Sequence, residues 1–231
     1  MIQPTSYLVV PGLLIRGELE MLDALIQSVR FQSGATTATT SAKAVKHNLQ
    51  APMDDSPEKQ QIDAIVLQAL AHSPLVQAAM TPVKILPPVI SRYEPGMHYG
   101  YHVDSPIMAH AQTGPIRADV AMTIFLSDPD QYEGGELSLI TPVQEQRYKL
   151  AKGDAILYPC TQVHAVLPVT KGVRMAAVSW MQCAVSDPMK RELLFQIKTA
   201  QQLIEQKDQK SPENLVLLQA YSNLMRMWAE L

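Results

Sequence analysis

The stretch His98–Pro106, "HYGYHVDSP", packs two histidines and an aspartate into seven residues, directly after the turn signal Glu94-Pro95-Gly96. Its conformation decides what kind of protein this is. As a helix it would stand His98 and His102 one turn apart and let them grip a zinc ion. That reading needs Gly100 in mid-helix, and the glutamate of a zinc-protease motif is absent. The flanks, "VISRYEPGMHYGYHVDSP", are rich in β-branched and aromatic residues and favour a strand. Side chains alternate along a strand, so His98, Gly100, His102 and Asp104 are expected on one face, with Gly100 leaving room there. At ~3.3 Å per residue, His102 and Asp104 sit ~7 Å apart and can converge on one ion. His98 lies ~13 Å from His102 and needs a bend to join them. The pair that matters is His102 and Asp104.

Outward from this stretch, residues 83–182 carry short β-rich runs, among them "PVI", "DVAMTIFL", "ELSLI", "YKL", "AILY", "VHAVLPV" and "VRMAAVSWM". They are punctuated by Pro95-Gly96, Asp128-Pro129-Asp130, Gly134-Gly135, Lys152-Gly153-Asp154 and Lys171-Gly172. Many short strands so spaced predict a sandwich or barrel. No Gly-rich phosphate loop joins a strand to a helix, which counts against nucleotide-binding folds.

Helical signals flank this block. "GELEMLDALIQSV" has apolar residues at helical spacing, and Ser56-Pro57, Ser73-Pro74, Asp187-Pro188 and Ser211-Pro212 each offer an N-cap followed by proline at the first helical position. The last two starts predict an antiparallel helical pair ending near Asp208 and Ala229. Leu215, Leu218, Tyr221, Leu224, Met225 and Trp228 form a stripe on the second helix that is expected to be buried, against the β core or in a homo-oligomer. "SGATTATTSA" is too poor in large apolar residues for a core element and predicts a mobile loop. The chain thus divides into a mainly helical part, 1–82, a β core, 83–182, and a C-terminal helical extension, 187–231. The class is α+β.

Composition narrows the function. Of 231 residues 47% are apolar and 18% charged, with a net charge of −3. Lys and Arg are scattered, so there is neither a basic stripe for nucleic acid nor a polybasic membrane anchor. No apolar run approaches the ~20 residues of a membrane helix. "MIQPTSYLVVPGLL" lacks a basic head and Pro11 breaks its apolar run, so it does not read as a secretory signal. Cys160 and Cys183 do not suggest a disulfide framework, and a reducing, cytoplasmic setting is the simplest inference.

His102 and Asp104 need a third ligand. His47 lies in the polar loop region and His72 at a probable helix end, both surface positions, while His110, in a Gly/Pro-flanked loop near Asp104, stays open. His164, in "LYPCTQVHAVLPV", falls inside the strand-rich core, where a polar side chain needs a purpose. An isolated core histidine would be satisfied by a hydrogen bond. With His102 and Asp104 it instead completes a two-His-one-carboxylate set, the facial triad suited to non-haem Fe(II). Ten residues on, Arg174 opens an otherwise apolar strand. Alone it would be a surface ion-pair partner; beside a metal it could clamp a dicarboxylate bidentately.

"SRYEPGMHYGYHVD", "RADVAMTIFLSDPDQYEGGELSLI" and "KGDAILYPCTQVHAVLPVTKGVRMAAVSWMQ" resemble the bacterial PKHD-type hydroxylases, in the prolyl-4-hydroxylase-like branch of the Fe(II)/2-oxoglutarate-dependent dioxygenases. The match runs over about residues 90–182, in order and without a large gap. The resemblance implies a double-stranded β-helix (jelly-roll) core with helices around it. His102, Asp104 and His164 match iron ligands, and Arg174 matches the residue that binds the distal carboxylate of 2-oxoglutarate. Tyr93 matches a tyrosine that hydrogen-bonds the co-substrate, although its strand parity is opposite to that of His102 and a bend near Pro95-Gly96 is needed. Thr123 is a softer candidate for the same carboxylate. The cofactor set implied is Fe(II), 2-oxoglutarate and O2, with L-ascorbate as an accessory. The chain departs from the family pattern at Ala165, where a larger polar residue is more usual, and at "LAKGD", which replaces a Pro-containing turn.

The expected activity is oxidative decarboxylation of 2-oxoglutarate to succinate and CO2 coupled to C–H hydroxylation. The substrate would be a small molecule or peptide, with a siderophore type and a link to iron uptake suggested by the relatives. Residues 33–56 and 105–117 are the expected pocket walls. The competing readings are a non-catalytic metal- or siderophore-binding module on the same scaffold, and a zinc hydrolase using the same triad.

Overall fold

Cap-plus-proline signals start four helices at the expected places. Ser56 Oγ accepts from the Lys59 N–H, Ser73 Oγ from Val76, Asp187 Oδ1 from Met189 and Lys190, and Ser211 Oγ from Asn214. Each satisfies donors that the first turn leaves orphaned, and the proline supplies a pre-set φ with no N–H to waste. The computed structural model describes residues 5–37, 43–110 and 114–230. The helices run Arg16–Ser28, Pro57–His72, Pro74–Met80, Pro188–Glu205 and Pro212–Trp228. Among the described residues no single helix is long and apolar enough to cross a membrane.

Two antiparallel sheets make the β core. The major sheet runs Leu8–Val10, Ala155–Pro159, Val120–Phe125, Arg174–Cys183, Val89–Tyr93, Leu49–Gln50, Gln32–Ser33, with Pro82–Ile85 also on Arg174–Cys183. The minor sheet runs Glu145–Tyr148, Leu137–Ile140, His164–Val166, His98–His102, Lys46–His47. This is the jelly-roll arrangement of an α+β chain.

Strand alternation divides the interior in two. From Val120–Phe125, Met122 and Ile124 face the helices, where they pack with Leu22, Ile62, Leu70 and Met80. Ala121 and Phe125 face the opposite way and pack with Leu137, Leu139 and Ile156 of the other strands. The hydrophobic effect is thus spent on both faces of the major sheet, as the unbroken apolar run "VAMTIF" requires.

Several elements differ from the sequence reading. "YKL" was expected as a strand, but the strand is Glu145–Tyr148, because pairing with Leu137–Ile140 outweighs local composition. Part of the expected mobile loop, 38–42, lies outside the described residues. The rest of the polar segment 33–56 contributes a strand to each sheet, Lys46–His47 to the minor and Leu49–Gln50 to the major. In the 105–117 segment Ile107–His110 pairs with Gly114–Arg117, while 111–113 and the His110 side chain are outside the description. The stripe on the last helix is only partly covered: Tyr221, Leu224, Met225 and Trp228 are half-buried, but Leu215 is 67% and Leu218 42% exposed.

Candidate active site

Alternation also builds the space between the sheets. Arg174–Cys183 sends Met175, Ala177 and Met181 to the helix side and Arg174, Val178 and Trp180 inward. Val89–Tyr93 likewise turns Ile90 outward and Ser91 and Tyr93 inward. Thr123 faces inward from the central strand. The result is a cavity of about 350 Å³, within the range of small-molecule sites, lined by these residues and by His102, Asp104 and His164.

His102 and His164 sit directly opposite each other on neighbouring strands, with ring centroids 4.2 Å apart. Each ring Nδ1 lies against a backbone carbonyl two residues back, His102 on Gly100 at 2.8 Å and His164 on Gln162 at 2.9 Å. A carbonyl only accepts, so both Nδ1 atoms carry the proton and both Nε2 lone pairs are free. Those Nε2 atoms point at one oxygen, Asp104 Oδ1, from 3.9 Å (His102) and 3.8 Å (His164). Ligand atoms of the three residues all fall within 4.8 Å of one another, the one such group of three or more among the described residues. Burial, with His164 adding to it, pulls the His102 imidazole down to about 4, so it is neutral at pH 7 and able to donate its lone pair. Two imidazoles and one carboxylate on one side of a cavity fit a divalent iron with open positions.

The second carboxylate oxygen is already engaged. Trp180 Nε1 donates to Asp104 Oδ2 at 2.8 Å. An indole can only donate, so this bond turns Oδ1, and not Oδ2, toward the imidazoles.

The strand His98–His102 is not regular. His164 pairs with His102 and Val166 with Tyr99, so three steps on one strand oppose two on the other. This bulge switches parity. Tyr99 therefore joins His102 on the cavity face, stacked on its ring at 3.7 Å and 16°. His98, expected on that face, instead lies opposite His47 with ring centroids 4.9 Å apart. The room left by Gly100 is taken by Val45: a Cβ there would stand 2.9 Å from the Val45 Cβ. Lys46 pairs with Tyr99 and so shares its face; its Nζ lies 5.1 Å from the Tyr99 ring centroid. Burial lowers the Lys46 ammonium to about 8, while Asp104 acts to raise it.

Arg174 is 1% exposed, and its Nε and Nη2 have no hydrogen-bond partner among the described residues. It lies between the rings of Tyr93 and Phe125, 5.2 and 5.6 Å from their centroids, and pairs with Tyr93 across the strands. Tyr93 reaches the cavity because its strand and His98–His102 belong to different sheets. The chain turns between them at Pro95-Gly96, with Gly96 at φ 87° and a Met97 N–H to Glu94 carbonyl bond. Thr123 is buried beside Tyr158, whose phenol is raised by burial and held back by the Thr123 hydroxyl. The "GGEL" glycines serve the same corner. Gly135 has φ 67°, and a Cβ on it would stand 3.1 Å from Arg174 Cδ.

The structure thus brings His102, Asp104, His164, Arg174, Tyr93 and Thr123 to one cavity and leaves His98 off it. Trp180, Tyr99 and Lys46 escaped the sequence reading. Trp180 was findable, six residues beyond Arg174 and on the same strand parity. Tyr99 and Lys46 were not, since the bulge that turns them inward has no local sequence signature.

Comparison with known proteins shows the family and the fold. The 2OG-Fe(II) oxygenase superfamily matches residues 88–182, and the PKHD-type hydroxylase C-terminal domain matches residues 189–230. A PKHD-type hydroxylase of Synechococcus sp. (strain JA-2-3B'a(2-13)) is 42% identical over 214 residues, 93% of this chain and 95% of that one. Among solved structures, a Trichoplax adhaerens prolyl hydroxylase in complex with a hypoxia inducible factor peptide fragment superposes with a TM-score of 0.55 at 15% identity, covering 82% of this chain and 87% of that one. HygX from Streptomyces hygroscopicus, with nickel, 2-oxoglutarate and hygromycin B bound, gives 0.53 at 13% identity, covering 78% and 84%. The two structures share the fold, and the full-length relative shows the family: the chain belongs to the PKHD-type hydroxylases, enzymes of the 2OG-Fe(II) oxygenase superfamily.

Proposed function

We propose that His102, Asp104 and His164 hold Fe(II), that Arg174 takes the distal carboxylate of 2-oxoglutarate, and that the enzyme hydroxylates a C–H bond of its substrate. 2-Oxoglutarate is split to succinate and CO2, with one oxygen atom of O2 entering the substrate and the other the succinate. The observation that carries this reading is the Arg174 guanidinium, buried with two unpaired nitrogens in the same cavity as three convergent metal donors. A buried cation with empty donors is costly, and a dicarboxylate beside the metal supplies the missing acceptors.

When bound, Fe(II) with O2 supplies the oxidising chemistry. The chain's own residues bind and orient. The Nδ1 bonds of His102 and His164 fix their tautomers, and Trp180 keeps Asp104 Oδ1 turned inward. Tyr93 and Thr123 offer hydroxyls to the co-substrate, and the two sheets exclude water around it. L-Ascorbate is a candidate reductant for keeping the iron ferrous. The solved neighbours with a bound peptide and with hygromycin B make both peptides and small molecules, siderophore-type included, candidates to screen. The buried free thiols Cys160 and Cys183 suit a reducing cytoplasm, and the exposed Leu215 and Leu218 suit a second copy of the chain.

The test is a succinate-release assay with Fe(II) and 2-oxoglutarate across candidate peptides and siderophores. Turnover is expected to require O2 and Fe(II). O2-independent turnover supported by Zn2+ would overturn the reading. Trp180→Phe keeps the ring but removes the donor to Asp104, and is expected to weaken Fe(II) binding ~10-fold or more, by the rule for outer-shell partners. Metal titration calorimetry checks this, and an unchanged affinity would mean that the indole does not position Asp104.

A further inference from the structure

Arg174 is not alone in being buried without partners. Tyr132 is 2% exposed, and its hydroxyl is sealed from solvent with no hydrogen-bond partner. A buried phenol usually finds one, and native proteins leave few such groups empty. Among the described residues, the only other buried side-chain nitrogens and oxygens in this condition are Arg174 Nε and Nη2 and the two amide atoms of Asn48. Tyr132 and Arg174 are neighbours. A Cβ on Gly135 would stand 3.1 Å from Arg174 Cδ and 3.2 Å from Tyr132 Cε2, so both side chains border the space that this glycine leaves. Burial raises the Tyr132 phenol and Arg174 acts to lower it, yet no guanidinium nitrogen meets the hydroxyl in bonding geometry. Nor could the arginine satisfy the tyrosine in full. A guanidinium only donates, so it cannot take the phenol's proton.

What this corner lacks is an acceptor. Arg174 offers two empty N–H donors and Tyr132 one O–H. A carboxylate carries about four lone-pair sites on its two oxygens, enough to accept from all of them at once. Lys149 fixes the tyrosine in place: its Nζ donates to the Tyr132 carbonyl at 2.6 Å and lies 4.2 Å from the ring centroid. Arg174 lines the cavity, whereas the Tyr132 hydroxyl is sealed from its open part, so that hydroxyl can meet only a group seated on Arg174. We propose that Tyr132 is a further binding residue for the co-substrate, its hydroxyl donating to the distal carboxylate of 2-oxoglutarate alongside Arg174. The inference rests on the functional reading above and adds to it a residue that stands just ahead of the two glycines in "YEGGEL".

The full chain, loaded anaerobically with Fe(II), is titrated calorimetrically with 2-oxoglutarate, beside Tyr132→Phe, which keeps the ring and removes the donor. The variant is expected to bind 2-oxoglutarate about ten-fold or more weakly, the cost of one hydrogen bond to a charged group. Its Fe(II) affinity should stay within about two-fold of the wild type's, because Tyr132 is not among the metal donors. The melting temperature of the empty variant should equal or exceed that of the wild type, since the hydroxyl removed had no partner to lose. Unchanged 2-oxoglutarate affinity overturns the proposal. So does a loss that comes with weaker Fe(II) binding or with a lower melting temperature of the empty protein, which would make Tyr132 a packing residue. Failure of 2-oxoglutarate to bind the wild-type protein would instead remove the functional reading, and the inference with it.

Discussion

Alanine at His102 or at Asp104 is expected to drop Fe(II)- and 2-oxoglutarate-dependent succinate release below detection and to abolish stoichiometric metal binding. The geometry says why neither loss can be absorbed. Both imidazole Nε2 atoms converge on the same oxygen, Asp104 Oδ1, so removing the aspartate takes away the only anionic donor of the set. Removing His102 leaves one imidazole and one carboxylate, too few to hold the ion against water. The effect should exceed the ~10–100-fold in affinity that loss of an outer-shell partner costs. His98→Ala is the informative contrast. Its ring pairs with His47 away from the cavity, so metal binding is expected to stay at the wild-type level. Metal titration alongside the succinate assay, with circular dichroism to confirm folding, checks all three variants. Full activity in His102→Ala or Asp104→Ala would remove the assignment, and loss of metal in His98→Ala would mean the bulge has been misread.

The contrast between His98 and His102 also shows where sequence reading stops. Helix starts were legible because a cap residue followed by proline acts within four residues, as at Ser56 and Asp187. The inward face of Arg174–Cys183 was legible because alternation is local, which is why Arg174 could be singled out and Trp180 could have been. His98 was assigned to the wrong face because a single bulge, set by pairing with a strand some sixty residues away, reversed the parity between Tyr99 and His102. The same long-range event turned Lys46 inward from a segment whose composition read as loop. Exposure of Leu215 and Leu218 was hidden for a similar reason. Helical periodicity locates an apolar stripe, but only the packing partner decides how much of it is covered.

Arg174→Met should improve the empty protein while damaging the enzyme. In the wild type the guanidinium is 1% exposed with Nε and Nη2 unpaired, and an unsatisfied buried polar group costs ~1–3 kcal/mol. Methionine fills much of the same space without charge, so the variant is expected to be more stable by ~1–3 kcal/mol, with Tm higher by several degrees at ~2–4 °C per kcal/mol. Binding should move the other way. Loss of a desolvated, charge-assisted pair to a carboxylate is worth ~2–3 kcal/mol, which raises the 2-oxoglutarate requirement by ~30–150-fold. A carboxylate distant from the reacting carbon binds ground and transition states alike, so the loss should fall mainly on KM and little on kcat. Arg174→Ala should raise the requirement similarly without the gain in stability, because it leaves a cavity between Tyr93 and Phe125. Arg174→Lys should fall between, keeping the charge but losing the fork. Thermal melts with and without 2-oxoglutarate in the presence of Fe(II) read both effects at once. The ligand should raise the wild-type Tm and leave that of Arg174→Met nearly unmoved. A destabilised Arg174→Met with an unchanged 2-oxoglutarate requirement would make this arginine a structural residue. The opposite signs are what distinguish a side chain buried to bind from one buried to pack.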